Sequence, residues 1–318
     1  ETPTNSHVDR YPWATEMAIS QQDVYWTSEE LGVEEDEQDF KVNLTKGELH
    51  GVTTSQALLT QYEMMLGGED LWGGKIAKMF PRPEIIRMCA KFTDIELHVH
   101  APFYRIGNEV MGNHTDEFYE EWQRDPILAE RISFIDEQAS SDCPLRVTAA
   151  LALLEGVVLY SAFGFFKGFN SAGFNLIPHF VSGIDASAKD ENFHSLASSY
   201  LHNTCKAERE AGGFHPESEE VRLSLDIRKM AEDLYKHELR IIDLMFSEGN
   251  IRVVSKEDLV SFVEDLINIV LTRLNQPIMF EKELGAISGW FYDQLNTMKV
   301  PDFFAATQIQ YRRNWDRY

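Results

Sequence analysis

The apolar run from Val147 to Phe166 constrains this 318-residue chain more than any other feature. The run approaches the length of a membrane span, but Glu155 stands in its middle. A carboxylate in such surroundings needs a reason. Three explanations stay open: a polar partner, a bound metal ion, or burial of the helix inside a protein rather than in lipid.

The charge of the chain argues against two classes of partner. The formal net charge is −23 and the pI is near 4.8. Such an acidic surface repels nucleic acid and anionic membranes, so we expect neither as a partner. The three cysteines are far apart in the sequence, and the polar beginning of the chain lacks a signal-peptide core. These features predict a cytoplasmic protein.

Helical spacing predicts an all-α bundle. Apolar residues recur at intervals of three and four, strand signals are sparse, and no linker-like segment divides the middle of the chain. We predict a single domain over residues 1–300 and a tail over 301–318. The predicted N-caps are Thr53-Thr54-Ser55 and Ser141-Asp142. The predicted helices lie near 14–27, 53–67, 82–112, 115–123, 126–139, 144–170, 172–185, 188–210, 217–247, 256–274 and 281–297.

Two segments carry acids and histidines at helical spacing. Glu96, His100 and Tyr104 are four residues apart, so they project from one face of a helix. In the other segment, Glu-x-x-His spacing places Glu191 beside His194. Each pattern alone is more often structural than functional.

The combination with Glu155 indicates a metal centre. Carboxylates from separate helices and two histidines form the ligand set of a dinuclear site in a bundle core. Burying several acids without cations would be very costly, so their clustering predicts metal. Carboxylate and imidazole ligands favour iron or manganese.

In the order of these markers, the sequence resembles the radical-generating small subunit of class I ribonucleotide reductase. The likeness runs from about Tyr11 to about Phe280. The matching segments are Tyr25-Trp26 followed by Ser28-Glu29-Glu30, Asp39-Phe40, His100 with Tyr104, Glu155 with Tyr160 and Phe163, and Asp190-Glu191-Asn192-Phe193-His194.

The resemblance implies a ferritin-like bundle with additional helices and a dimetal site in its core. One metal would be held by Asp39, Glu96 and His100, and the other by Glu155, Glu191 and His194. Two irons are favoured as the cofactor, and two manganese ions or one of each also suit the ligands.

The resemblance also implies roles in radical chemistry. With oxygen as oxidant, Tyr104 would become a stable radical, and Trp26 and Asp190 would join His100 in a route to the surface. A large partner subunit would reduce ribonucleotides, and the chain would form a homodimer. A C-terminal tail would dock on the large subunit, with Tyr311 or Tyr318 as a redox-active tyrosine.

The first ligand helix departs from the family pattern, which is Glu-x-x-His. Leu97 stands three residues before His100, and Ile95 three residues before His98. Glu96 could still serve if a local helix bulge corrects the register. If His98 were the ligand instead, the radical position would fall on a proline. A third possibility is a site that lacks one carboxylate. His100 is favoured, because Glu96 and Tyr104 share its face.

Two other functions remain open. A related two-metal oxidase or desaturase would need a tunnel for an apolar substrate and no route through Trp26. A ferritin-like metal store or sensor would need a shell of many subunits. The remaining aromatics are predicted to pack, and those of the segment 163–169 to keep water from the site; they are Trp13, Trp72, Trp122, Trp290, Trp315, Phe163, Phe165, Phe166 and Phe169.

Overall fold

A computed structural model describes residues 3–171, 173–213 and 217–297 of the chain. The regular elements in these ranges are all helical, which confirms the predicted all-α class. Residues 301–318, with Tyr311, lie outside the described residues. The α-helices are α1 (Pro12–Asp23), α2 (Lys46–Leu66), α3 (Lys75–Met79), α4 (Pro83–Ile95), α5 (Ala101–Met111), α6 (Asp116–Tyr119), α7 (Pro126–Ala139), α8 (Pro144–Leu153), α9 (Leu159–Lys167), α10 (Pro178–Ala211), α11 (Glu217–Met245), α12 (Lys256–Arg273) and α13 (Ala286–Thr297).

Three π-helical segments interrupt this pattern, at Asp39–Asn43, Glu96–His100 and Leu154–Val158. The second joins α4 to α5 and the third joins α8 to α9, so each pair runs as one long helix with a bulge. In the bulges the Ala101 N–H donates to the Glu96 carbonyl and the Leu159 N–H to the Leu154 carbonyl. Each bulge inserts one residue into an α-helical turn, a feature frequent at functional sites.

The apolar run forms the centre of the bundle. Helices α8 and α9 pack against α10, and α2 packs against α5 and the π segment before it. The stretch Pro144–Asn170 is long and apolar enough to cross a membrane, but 94% of its most apolar window is buried inside the protein. Glu155 therefore lies in a protein core, and its partners must be found there.

Both predicted N-caps are wrong. Helix α2 begins seven residues earlier than Thr53, at a capping box in which the Thr45 hydroxyl accepts from the Glu48 N–H. Ser55 lies inside that helix, where its hydroxyl donates to the Gly51 carbonyl at 2.9 Å. This bond to the preceding turn satisfies the hydroxyl without a position at a helix N-terminus. Helix α8 has no side-chain cap. The two helices predicted over 172–210 are one helix, α10.

Candidate metal centre

Six side chains with no solvent-exposed surface converge between the helices of the bundle. They form two overlapping groups, and within each group one ligand atom of every residue lies within 4.8 Å of the others. The first group is Glu63, Glu96, His100 and Glu191, and the second is Glu96, Glu155, Glu191 and His194. The structure thus brings together five of the six residues that the resemblance predicted as ligands.

Two glutamates lie between the two histidines. His100 Nδ1 is 3.1 Å from Glu96 Oε2 and 3.0 Å from Glu191 Oε1. His194 Nδ1 is 2.7 Å from Glu96 Oε1 and 2.9 Å from Glu191 Oε2. Each of these two glutamates therefore offers one oxygen to each half of the cluster, which is the arrangement of a bridging carboxylate.

The π segment answers the question of register on the first ligand helix. Because the bulge widens the turn, Glu96 and His100 reach the same cluster despite their four-residue spacing. The side chain of His98 is 75% exposed, and its Nδ1 lies 2.8 Å from Asp94 Oδ1. The structure thus places His100 in the cluster and His98 on the surface.

Asp39 is not in the cluster, and Glu63 on α2 occupies the place expected for it. The Asp39 carboxylate accepts a hydrogen bond from the Ile177 N–H at 2.7 Å and one from Asn43 Nδ2 at 2.6 Å. Ile177 precedes α10 with φ 44° and ψ 47°, a strained conformation for a β-branched residue. The carboxylate of Asp39 therefore stabilises the backbone at the start of α10.

A sequence signal for Glu63 existed but was missed. Glu63 lies four residues after Leu59 and three before Leu66, and all three side chains are buried. It therefore stands on the apolar stripe of α2, where an acid is out of place without a partner. The same argument that singled out Glu155 applies to it.

The electrostatics show how unfavourable this cluster is without cations. Burial raises the pKa of Glu63 well above its usual value, and the charge of Glu96 raises it further. Burial and the charge of Glu191 raise the pKa of Glu155 in the same way. Burial would lower the pKa of His194, but Glu96 and Glu191 outweigh it and raise that pKa to about 9. Protons therefore compensate the charge of the acids when no metal does so.

The donor set fits a pair of divalent cations. Glu63 Oε1 and Glu155 Oε2 are buried, and neither has a hydrogen-bond partner among the residues that the structure describes. The four carboxylates together carry a charge that two divalent ions would balance. Carboxylate and neutral imidazole ligands are those that iron and manganese accept in bundle cores.

A hydrogen-bonded chain leads away from His100. Its Nε2 lies 3.0 Å from Asp190 Oδ2, which also accepts from Trp26 Nε1 at 2.8 Å. The other oxygen, Asp190 Oδ1, accepts from Gln21 Nε2 at 2.7 Å. The resemblance implied that His100, Asp190 and Trp26 act together, whereas Gln21 on α1 was not predicted. Trp26 is 8% exposed, so the chain reaches from the cluster almost to the surface.

Tyr104 lies one turn beyond His100 in a dry environment. It has no exposed surface. Burial raises the pKa of this phenol well above its usual value, and the charge of Glu63 raises it further. The predicted water-excluding phenylalanines are all fully buried: Phe163, Phe165, Phe166 and Phe169.

Trp72 was predicted only to pack, but it contacts the cluster directly. Its indole N–H donates to Glu155 Oε1 at 2.7 Å, and both side chains are fully buried. Nothing in the spacing of the sequence links these two residues, because Trp72 comes from the loop between α2 and α3.

Comparisons with known proteins point to one family. The family model for the ribonucleotide reductase small chain matches residues 5–286. The probable ribonucleoside-diphosphate reductase small subunit 048L of Invertebrate iridescent virus 3 is 21% identical over 329 residues, which cover 95% of this chain and 82% of the viral protein.

Two solved structures share the fold. The ribonucleotide reductase R2 subunit of Clostridium botulinum aligns with a TM-score of 0.77 and 21% identity, over 90% of this chain and 89% of that one. The dimanganese(II)-NrdF of Streptococcus sanguinis aligns with a TM-score of 0.75 and 18% identity, over 90% of this chain and 98% of that one. These likenesses confirm the predicted ferritin-like bundle.

Proposed function

The chain belongs to the family of ribonucleotide reductase small chains, and on this premise we propose that its buried centre holds two metal ions and generates a radical on Tyr104. The radical equivalent then passes through His100, Asp190 and Trp26 to a large subunit, which reduces ribonucleotides to deoxyribonucleotides. Family membership implies that large partner and a homodimer. The observation that supports the proposal is the unbroken array from the cluster through Asp190 to Trp26.

The ligands divide between two ions. Glu96 and Glu191 lie between the histidines and would bridge the ions. Glu63 and His100 would complete one coordination sphere, and the remaining two cluster residues, Glu155 and His194, the other. We propose two irons, while two manganese ions or one of each suit the same donors. With oxygen, the bound ions would supply the oxidising power that takes an electron from Tyr104.

The protein's own contribution is to position groups and exclude water. The phenol of Tyr104 keeps its proton until oxidation, because its pKa is raised. The Asp190 carboxylate is oriented by donors from Gln21 and Trp26, so it can hold the His100 ring in one orientation. The buried phenylalanine cluster keeps solvent and small reductants away from the radical.

The experiment compares two buried tyrosines, Tyr104 and Tyr62. Tyr104→Phe should keep two metal ions per chain but abolish the tyrosyl signal in electron paramagnetic resonance and the reduction of ribonucleotides with a cognate large subunit. Tyr62→Phe is the matched control, since Tyr62 is also buried and its hydroxyl accepts a hydrogen bond from Arg131, which lies outside the cluster. An undiminished radical signal in Tyr104→Phe would refute the assignment.

Two other functions fit the site less well. An oxidase or desaturase needs room for an apolar substrate beside the metals, and small-molecule pockets usually measure about 300–1,000 Å³. The apolar slot flanked by Leu154 and Val158 has no space for a water molecule. A metal store would assemble into a cage, so a dimer measured by light scattering would exclude that function.

A further inference from the structure

We propose that Trp72 is a positioning residue for one half of the metal centre: its indole N–H holds the Glu155 carboxylate in one orientation beside His194. This inference rests on the proposed function, since it assigns a device that shapes the same site. The hydrogen bond of 2.7 Å from Trp72 Nε1 to Glu155 Oε1 carries it.

Glu155 differs from the other acids of the cluster in this contact. Within the described residues, it is the one cluster glutamate that accepts a hydrogen bond from a side chain outside the cluster. Its second oxygen has no hydrogen-bond partner there. Oε1, which accepts from the indole, also lies 3.9 Å from His194 Nδ1. The indole therefore restrains the orientation in which this carboxylate can bind metal.

The indole is held rigidly enough to do this. Its ring packs edge-on against Phe92, with ring centroids 4.9 Å apart. The backbone N–H of Trp72 donates to the Leu66 carbonyl at 2.9 Å, which ties the loop back to the end of α2. At Gly67, an added Cβ would lie 2.7 Å from the Cβ of Glu96, so the loop needs glycine to lie this close to the π segment.

Trp72 contacts one side of the cluster. Besides Glu155, its ring meets the imidazole of His194 edge-on, with centroids 6.2 Å apart. These two residues are the ligands assigned above to one ion, whereas the ligands assigned to the other ion alone are Glu63 and His100. Loss of the indole N–H should therefore weaken one ion selectively and leave the other bound.

The test is a titration of metal-free protein with Mn²⁺, read as free Mn²⁺ and as the coupled two-manganese signal in electron paramagnetic resonance. Trp72→Phe keeps an aromatic ring and removes the donor. Because outer hydrogen bonds to metal ligands are typically worth about 10–100-fold in affinity, one of the two sites should weaken by about that factor. The coupled signal should then appear only at correspondingly higher Mn²⁺.

Two further variants separate the hydrogen bond from packing. Trp122→Phe, at a half-buried tryptophan outside the cluster, should titrate like the wild type. Incorporation of benzothienylalanine at position 72 keeps the shape of the indole and replaces its N–H by sulfur. It should therefore weaken the same metal site as Trp72→Phe does. This variant tests the hydrogen bond even if the smaller phenyl ring of Trp72→Phe disturbs folding. Equal affinities in the benzothienylalanine protein and the wild type, or equal weakening of both sites, would overturn the inference. Failure of the wild-type chain to bind two ions would instead refute the proposed function and the inference with it.

Discussion

Separate substitutions of Glu63 and Asp39 test which of these two carboxylates binds metal. Glu63→Gln removes a buried carboxylate of the cluster and keeps its shape. Asp39→Ala removes a carboxylate whose two oxygens hold the Ile177 N–H and the Asn43 amide. If Glu63 is the ligand, Glu63→Gln should lower metal content without lowering stability. Asp39→Ala should lower stability without lowering metal content.

The size of each effect follows from the contacts. The loss of a helix N-terminal acceptor typically costs about 0.5–2 kcal/mol, and Asp39 also restrains the strained backbone of Ile177. We expect Asp39→Ala to lower the free energy of unfolding by about 2 kcal/mol, which for a chain of this size corresponds to roughly 3 °C in Tm. In the metal-free protein, burial and the charge of Glu96 raise the pKa of Glu63 and favour its neutral form, which Gln resembles in shape and charge, so the Tm of Glu63→Gln should stay the same.

Metal content and Tm are measured separately. Metal is counted by mass spectrometry after reconstitution with iron or manganese and removal of unbound ions, and Tm is measured calorimetrically on metal-free protein. Glu63→Gln should retain one ion per chain or fewer, while Asp39→Ala should retain two. Two retained ions in Glu63→Gln, together with metal loss in Asp39→Ala, would show that the assignment of Glu63 is wrong.

Two smaller predictions test the register and the pH response. His98→Ala should leave metal content and the radical signal unchanged, because this side chain points to solvent. Loss of metal in this variant would contradict the assignment of His100 rather than His98 to the centre. Burial alone would raise the pKa of Glu48, but hydrogen bonds from Arg252 and the Thr45 N–H outweigh it and lower that pKa below 4.5. An acid with a lowered folded pKa stabilises the protein above its unfolded pKa, and this contribution is lost as the pH falls through the folded value. Glu48→Gln should therefore reduce Tm at neutral pH, and thermal scans should show the difference shrinking as the pH falls below 4.5. A constant difference would contradict this role.

Spacing within a helix predicted those contacts that spacing can determine. The Glu-x-x-His pattern placed Glu191 beside His194, and the structure has their side chains 2.9 Å apart. Periodicity also predicted α7 with the bounds that the structure gives it, and the run of α8 and α9 with an end three residues too late. Such patterns report neighbours three or four residues away on one face, because the geometry of the α-helix is regular.

Contacts between distant segments escaped the same reasoning. Trp72 reaches Glu155 from a loop 83 residues earlier, and Asp39 reaches Ile177 across 138 residues. Both are single hydrogen bonds that depend on how loops lie against the bundle, which no periodic pattern encodes. The departure from Glu-x-x-His on the first ligand helix was visible, but no spacing rule predicts the bulge that accommodates it and that packs against α2.

The violations of local sequence rules in this chain gather around one place. Glu63 and Glu155 interrupt apolar stripes, and two of the three π segments carry cluster residues. Sequences that fold well are locally consistent, and exceptions concentrate where function demands them. A buried acid costs stability unless a cation or a proton meets it, so retaining four in one core makes sense only for a protein that binds cations there. The unfavourable free energy of burying these acids therefore supports the metal centre independently of any resemblance, because no gain in folding stability explains their presence.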